Sequence, residues 1–178
     1  VVSPRYILAE RLAPFQPRGT EVGVVLDLMI HDIGIVLELV KAPVVKVDSV
    51  GVSVLSRTED IANARIEFAN GAIANVTASR VSTTPQRRFR VFHPNQYVSI
   101  DFGNGEVRRI TKEGDWREGA TPLREETWNL EKGDALLAET KAFVEAIVTD
   151  TPCVVSGDDG FAALKLAEMI GADIARRR

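Results

Sequence analysis

The sequence predicts an α+β domain, in which one large, mostly antiparallel and open-faced sheet carries helices packed on one face. Three observations favour this class. A strongly apolar helix is predicted over 24–40, short segments of strand composition separated by turn residues follow between 44 and 130, and two amphipathic helices are predicted after residue 133. A run of strands followed by a run of helices is typical of α+β folds. We expect residues 1–178 to form a single domain.

Alternating and β-branched segments predict the strands. They are expected at Arg5–Ala13, Val44–Leu55, Ile61–Phe68, Ile73–Val81, Arg88–Phe92, Gln96–Phe102, Glu106–Thr111 and Leu123–Leu130. Asn70-Gly71 is a strong hairpin signal, and a two-residue turn there would place Phe68 opposite Ile73. Ile66, Phe68 and Ile73 would then share the covered face of the sheet. Gly103-Asn104-Gly105 is predicted to be another hairpin turn, because a dinucleotide loop needs a third glycine and a following helix.

The C-terminal helices are predicted from apolar residues at helical spacing. In the first helix, Asp134–Val148, these are Leu136, Leu137, Phe143, Val144 and Ile147; in the second, Phe161–Ala175, they are Ala163, Leu166, Ala167, Ile170 and Ile174. Ser156 and Asp159 form an S-x-x-D pattern that resembles a capping box at the start of the second helix.

Composition excludes several functional classes. The net charge of -3 and the dispersed basic residues argue against a general nucleic-acid binder. The apolar stretch 24–40 is slightly short for a bilayer span and contains charges, so we expect no membrane association and a cytoplasmic location. Cys153 is the only cysteine, which excludes an intramolecular disulfide and a cysteine-based zinc site, and its apolar neighbours predict a core position.

The helix Val24–Val40 carries a narrow polar stripe of Asp27, His31, Gly34 and Glu38, with Asp32 as the one polar exception elsewhere. A helix that is apolar nearly all round is expected to be buried. Asp27 and His31 are four residues apart and can touch, and a carboxylate beside an imidazole orients it and favours the imidazolium. The pair is therefore either a structural ion pair or a supported proton-transfer histidine.

Three further points concern the same candidate site. Gly34, one turn beyond His31, would leave space for a ligand. Arg11, near the end of the first strand, is either a surface charge or a substrate contact. His31 and His93 are the only histidines, and nothing marks them as neighbours, so no metal site is predicted.

The run Asp27-Leu28-Met29-Ile30-His31-Asp32-Ile33, preceded by Glu10-Arg11-Leu12-Ala13-Pro14-Phe15, resembles the C-terminal domain of the Gfo/Idh/MocA family. The resemblance extends to the segment 156–160 at the entry to the last helix. It implies the α+β architecture predicted above and a role in NAD(P)-dependent oxidation of sugars, cyclitols or nucleotide sugars. It also implies that His31 is the acid/base or substrate-hydroxyl contact, with Asp27 as its partner. Where the family often has an aspartate three residues after the histidine, this sequence has Gly34.

Neither the Glu-Lys-Pro motif of the family nor a G-x-G-x-x-G loop occurs in these residues. Because the chain also begins at Val1 without a methionine, we expect a fragment of a longer two-domain protein that binds no cofactor and is inactive alone. The resemblance implies that NAD or NADP, an N-terminal Rossmann domain and a dimer or tetramer formed through the open sheet face complete the enzyme. The alternatives are a non-catalytic binding or assembly module that retains the fold, and a lyase-like or hydrolytic member of the superfamily.

Overall fold

A single eight-stranded sheet runs through the protein, whose computed structural model describes residues 4–115, 122–131 and 133–177. Its strands are β1 (Tyr6–Leu12), β2 (Val44–Val52), β3 (Ile61–Phe68), β4 (Ile73–Ser79), β5 (Gln86–His93), β6 (Gln96–Asp101), β7 (Glu106–Lys112) and β8 (Leu123–Asn129). Their spatial order is β2-β3-β4-β1-β5-β6-β7-β8, and only the β1–β4 pair is parallel. The predicted open, mostly antiparallel sheet is confirmed.

The helices are α1 (Ile30–Val40), α2 (Ala135–Thr149) and α3 (Gly157–Arg176), and a π-helical segment, Val25–Met29, leads directly into α1. Proline 43 explains where α1 ends, because the residue before a proline is pushed out of helical geometry. The helix stops at Val40, and Lys41 takes the left-handed conformation with φ 48°. Among the described residues, no helix is long and apolar enough to cross a membrane.

The core lies between the sheet and the pair α1 and α3. One cross-strand row of the sheet, Ala64, Val76, Ala9 and Phe89, is buried at every position. The predicted stripe of α3 closes this core, and all five of its residues are buried: Ala163, Leu166, Ala167, Ile170 and Ile174. Burying one such large aliphatic side chain contributes roughly 1.5–3 kcal/mol to the free energy of unfolding. The predicted capping box is also present, since Ser156 and Asp159 each accept a hydrogen bond from the other's backbone N–H.

Helix α2 is formed as predicted, but its apolar stripe is not covered. Its large apolar residues are all exposed in the described chain: Leu136, Leu137, Phe143, Val144, Ile147 and Val148. Only Ala146 of this helix is buried. The predicted core position of Cys153 is wrong, because it lies in the exposed connection from α2 to α3 beside the exposed Val154 and Val155. In the described chain, α1 and α3 are therefore the helices that pack on the sheet.

The β3–β4 hairpin differs by one residue from the prediction. Phe68 donates its N–H to the carbonyl of Ala72 at 3.0 Å, and Gly71 has φ +81°, so the loop holds three residues rather than two. Ile73 is therefore opposite Glu67 and not Phe68. Successive side chains in a strand point to opposite faces, so this shift places Ile73 on the open face instead of the covered one.

Candidate active site

The polar stripe of the first helix lies on the surface of the domain. Asp27, His31 and Glu38 are exposed and Gly34 is partly exposed, whereas Asp32 is buried. The expectation that this helix is buried nearly all round is wrong, since Leu26 and Leu39 are also exposed. The opposite side packs on the sheet through Met29, Ile33, Val36 and Val40. The stripe thus faces away from the core, where it is available to a ligand.

Asp27 and His31 are both exposed, but within the described chain no hydrogen bond or ion pair joins them. Asp27 lies inside the π-helical segment, whose closing hydrogen bond runs from the N–H of Ile30 to the carbonyl of Val25. Single π turns inside α-helices occur frequently at functional sites. The roles of Asp27 and His31 in proton transfer stay a prediction.

Open space lies beside Gly34. A Cβ atom built on this glycine would meet no heavy atom within 4 Å outside its own helix. The glycine is therefore not required by packing within the domain. This observation agrees with the predicted ligand space one turn beyond His31.

Arg11 holds the start of α1 against β1. Its Nε donates to one carboxylate oxygen of Asp32 at 2.8 Å, and its Nη2 donates to the other at 2.9 Å. The pair is largely buried, with 14% of the Arg11 and 3% of the Asp32 side chain exposed. Two parallel bonds of this kind are short, strong and directional. The predicted substrate contact of Arg11 is untested, but its guanidinium is engaged by Asp32.

Asp32 is thus an anchor of the candidate site that the sequence reasoning treated only as an exception. A carboxylate on the apolar side of a helix requires a cationic partner, because an unpaired buried charge is very costly. This need for a cationic partner was the signal by which the sequence could have identified Asp32. The pair with Arg11 holds Asp32, the neighbour of His31 in the chain, at a fixed position relative to the sheet.

A second buried network holds the loop that precedes the helix. Arg80, 5% exposed, donates to the carbonyls of Gly19 at 3.0 Å, of Glu59 at 3.1 Å and of Val22. Asp60 lies 3.5 Å from Arg80 and accepts from three backbone N–H groups of residues 54–56 and from the Ser56 hydroxyl. Burial alone would raise the pKa of Asp60, but these hydrogen bonds outweigh it and lower the pKa well below its usual range. The sequence reasoning missed this network.

A shallow cleft of about 480 Å³ lies beside this loop and is lined by Phe15, Thr20, Leu55 and Arg57 among others. It contains none of the predicted site residues. It therefore does not define the candidate site, which lies on the outer surface of α1.

Two features of the described chain concern a cofactor or a metal. Gly103-Asn104-Gly105 is the turn between β6 and β7, as predicted, and not a phosphate-binding loop. Across the described ranges, no three His, Cys, Asp or Glu side chains are grouped as metal ligands.

The sheet and the exposed stripe of α1 define a class of protein. The GFO/IDH/MocA C-terminal domain family matches residues 8–95, from β1 to the turn after β5. The chain belongs to this family, as its C-terminal domain. The resemblance carried by the segments around Glu10-Arg11 and Asp27–Ile33 is confirmed.

Among individual proteins, the chain is 40% identical over 165 residues to UDP-N-acetylglucosamine 3-dehydrogenase of Acidithiobacillus ferrooxidans. The aligned residues cover 93% of this chain and 53% of that protein. A solved structure of that enzyme, GnnA, superposes with a TM-score of 0.89 at 38% identity and covers 97% of this chain and 55% of the other. The chain therefore spans about half the length of these relatives.

A more distant structure shares the fold. Levoglucosan dehydrogenase in complex with NADH superposes with a TM-score of 0.80 at 17% identity, covering 98% of this chain and 57% of that chain. At this identity the likeness shows the fold alone.

Proposed function

We propose that this chain is the substrate-binding domain of an NAD(P)-dependent dehydrogenase that oxidises a hydroxyl group of a sugar or nucleotide sugar. The observation that carries the proposal is the exposed His31 beside the open space at Gly34, on a helix held in place by the Arg11–Asp32 pair. The similarity to UDP-N-acetylglucosamine 3-dehydrogenase supports a nucleotide sugar as the substrate.

Oxidation of an alcohol releases the hydroxyl proton, and His31 is the group of this chain that accepts it. Asp27, on the same exposed stretch, is the proposed partner of His31. Gly34 leaves room for the sugar ring beside the imidazole. NAD or NADP, when bound, supplies the hydride acceptor, and the residues that hold it lie outside this chain.

This division of labour implies a partner. The relatives are about twice as long as the chain, and a nucleotide-binding half of the same protein is the proposed second wall of the site. The exposed apolar stripe of α2 is a surface that such a half can cover. The isolated domain is then inactive, and the protein carries out the reaction in the cytoplasm.

The open face of the sheet is the proposed contact with a second copy, which gives a dimer or a tetramer. Side chains of neighbouring strands pair along this face, such as Tyr6 with Asn75 at 2.8 Å and Asn63 with Thr77 at 2.8 Å. Light scattering at micromolar concentration measures the mass directly, and a monomer would contradict this part of the proposal.

The central test is the substitution His31→Ala in the natural full-length protein. We expect turnover of UDP-N-acetylglucosamine with NAD or NADP to fall about 100- to 10,000-fold, the usual contribution of general acid–base catalysis. Cofactor affinity, measured by fluorescence titration, should stay nearly unchanged. Glu38→Ala is the matched control, because Glu38 is exposed on the same helix and its ion pair in the described chain is with Lys41 at 2.7 Å.

Equal turnover of His31→Ala and the wild type would show that His31 is structural. Absence of G-x-G-x-x-G and Glu-Lys-Pro from the coding sequence upstream of Val1 would favour the non-catalytic binding module instead. Conversion of a sugar without net reduction of the cofactor would favour the lyase-like or hydrolytic alternative.

A further inference from the structure

We propose that Arg87 binds an anionic group, a phosphate or a carboxylate, of the sugar substrate. The inference rests on the proposed function and extends it to the charge of the substrate. Arg87 lies at the start of β5, on the face of the sheet that carries α1.

The position of Arg87 follows from strand register. Arg87 is directly opposite Arg11 in the antiparallel β1–β5 pair, so the two side chains leave the same face of the sheet. Cα atoms of such partners are about 4.5–5.5 Å apart. Two guanidinium groups therefore share a small region beside Asp32, which is the neighbour of His31 in the chain.

The carboxylate of Asp32 is hydrogen-bonded to Arg11 and not to Arg87. Each oxygen of Asp32 already accepts a hydrogen bond from Arg11. Within the described chain the guanidinium of Arg87 has neither a hydrogen-bond acceptor nor an ion-pair partner. Arg87 is exposed, but loss of hydration on its inner side and the charge of Arg11 lower the pKa of Arg87, and Asp32 only partly opposes them. The region thus carries an uncompensated positive charge.

Every other arginine in the described strands has a carboxylate partner. The pairs are Arg11–Asp32, Arg65–Glu67, Arg88–Asp101, Arg90–Glu10, Arg108–Glu125, Arg109–Glu126 and Arg124–Glu113. Arg87 is the exception, although a second cation beside it makes a partner more favourable there than elsewhere. A ligand anion would supply that partner.

Arg87 is also held in a suitable orientation. Its guanidinium carbon lies 4.7 Å from the centre of the Phe102 ring. Stacking of this kind fixes the guanidinium plane and leaves its N–H edges free, and a planar fork of donors matches the geometry of phosphate and carboxylate oxygens. The diphosphate of a nucleotide sugar whose ring lies at His31 is a ligand of this chemistry.

The test uses the natural full-length protein and the substitution Arg87→Gln. We expect the Kd of UDP and of UDP-N-acetylglucosamine, measured by calorimetry, to rise about 10- to 100-fold, the usual range for a hydrogen bond to a charged group. The KM should rise by a similar factor with kcat nearly retained. Arg87→Lys, which keeps the charge but not the fork, should have an intermediate effect.

Arg88→Gln is the matched control, because Arg88 is the next residue, lies on the opposite face and pairs with Asp101 at 3.5 Å. It should leave the Kd of UDP unchanged. Equal weakening by Arg87→Gln and Arg88→Gln would overturn the proposal, since it would indicate only a general charge effect. An unchanged Kd in Arg87→Gln would overturn it as well.

The choice of ligands identifies the anion. Pyrophosphate competing with UDP supports a phosphate site, and glucuronate competing in its place supports a carboxylate site. Failure of both pyrophosphate and glucuronate to compete with UDP would contradict an anion site. Because binding is measured directly, these outcomes are distinguishable from failure of the proposed function, which is tested by turnover.

Discussion

The two halves of the sheet are built on different physical principles. In the covered half, β2-β3-β4-β1, alanines and β-branched residues pack under α1 and α3, and most of the sheet's buried side chains lie there. In the outer half, β5-β6-β7-β8, partly exposed ion pairs such as Arg109–Glu126 and a contact of Arg109 with Trp128 connect the strands. We infer that stability is concentrated in the covered half.

The largest difference is expected from two arginine–carboxylate pairs whose N–O distances are similar. Asp32→Ala in the covered half leaves Arg11 buried and unpaired, which should lower the free energy of unfolding by about 3–5 kcal/mol. Glu126→Ala in the outer half breaks the 2.8 Å bond from Arg109, but both side chains are about one-third exposed, so we expect about 0–1 kcal/mol. Urea denaturation of both variants measures the two values. Similar losses would contradict the comparison.

Two isoleucines on the consecutive helices α2 and α3 should differ slightly less in what they contribute to the free energy of unfolding. Ile170→Ala on α3 empties a fully buried position and should cost about 2–5 kcal/mol. Ile147→Ala on α2 removes a side chain that is 64% exposed, so the free energy of unfolding of this chain should change by less than about 0.5 kcal/mol. Thermal or urea unfolding measures both variants. A cost above 1 kcal/mol for Ile147→Ala would show that the stripe of α2 is already covered in the isolated chain.

The smallest effect is a dependence on acid that should belong to the covered half. Burial would raise the pKa of Asp173, but hydrogen bonds from Ser49, Arg176 and Arg177 outweigh it, and the pKa is lowered, as for Asp60. A carboxyl with a lower pKa in the folded state contributes full stability above its unfolded value of about 4 and loses it as pH falls toward the folded value. The urea midpoint should therefore decrease steadily below about pH 4.

Asp173→Asn provides the control for this acid dependence. It should be less stable than the wild type at neutral pH and should lose less stability on acidification, because one titrating group is removed. Parallel pH profiles of the two proteins would exclude Asp173 as a source of the effect.

Periodicity and capping patterns predicted the covered half well. All five residues of the α3 stripe are buried, and the Ser156–Asp159 capping box forms as its spacing indicates. The β3–β4 register could not be predicted, because Asn70-Gly71 fits both a two-residue turn and a three-residue loop with glycine in the left-handed region. For α2 the periodicity was correct, but periodicity cannot tell whether a partner covers the stripe.

The candidate site was predicted in part, from the residues that are close in sequence. His31 and Asp27 were chosen by their spacing, both are exposed, and their roles stay a prediction. The role of Asp32 was missed because its partner Arg11 lies 21 positions away, and the pair exists only once β1 and α1 are packed. Arg87 was missed for the same reason, since its relation to Arg11 depends on which strands become neighbours.

The central position of β1 has a consequence for folding. The first strand along the chain lies between β4 and β5 and is the only one to join the covered half to the outer half. During synthesis it has no neighbour until residues 73–79 have emerged, and it can join the two halves only after residues 86–93 have followed. Contacts so distant in sequence are formed slowly. Until β1 inserts, the chain holds a three-stranded and a four-stranded sheet with unpaired edges, which makes this strand the step at which folding and aggregation compete.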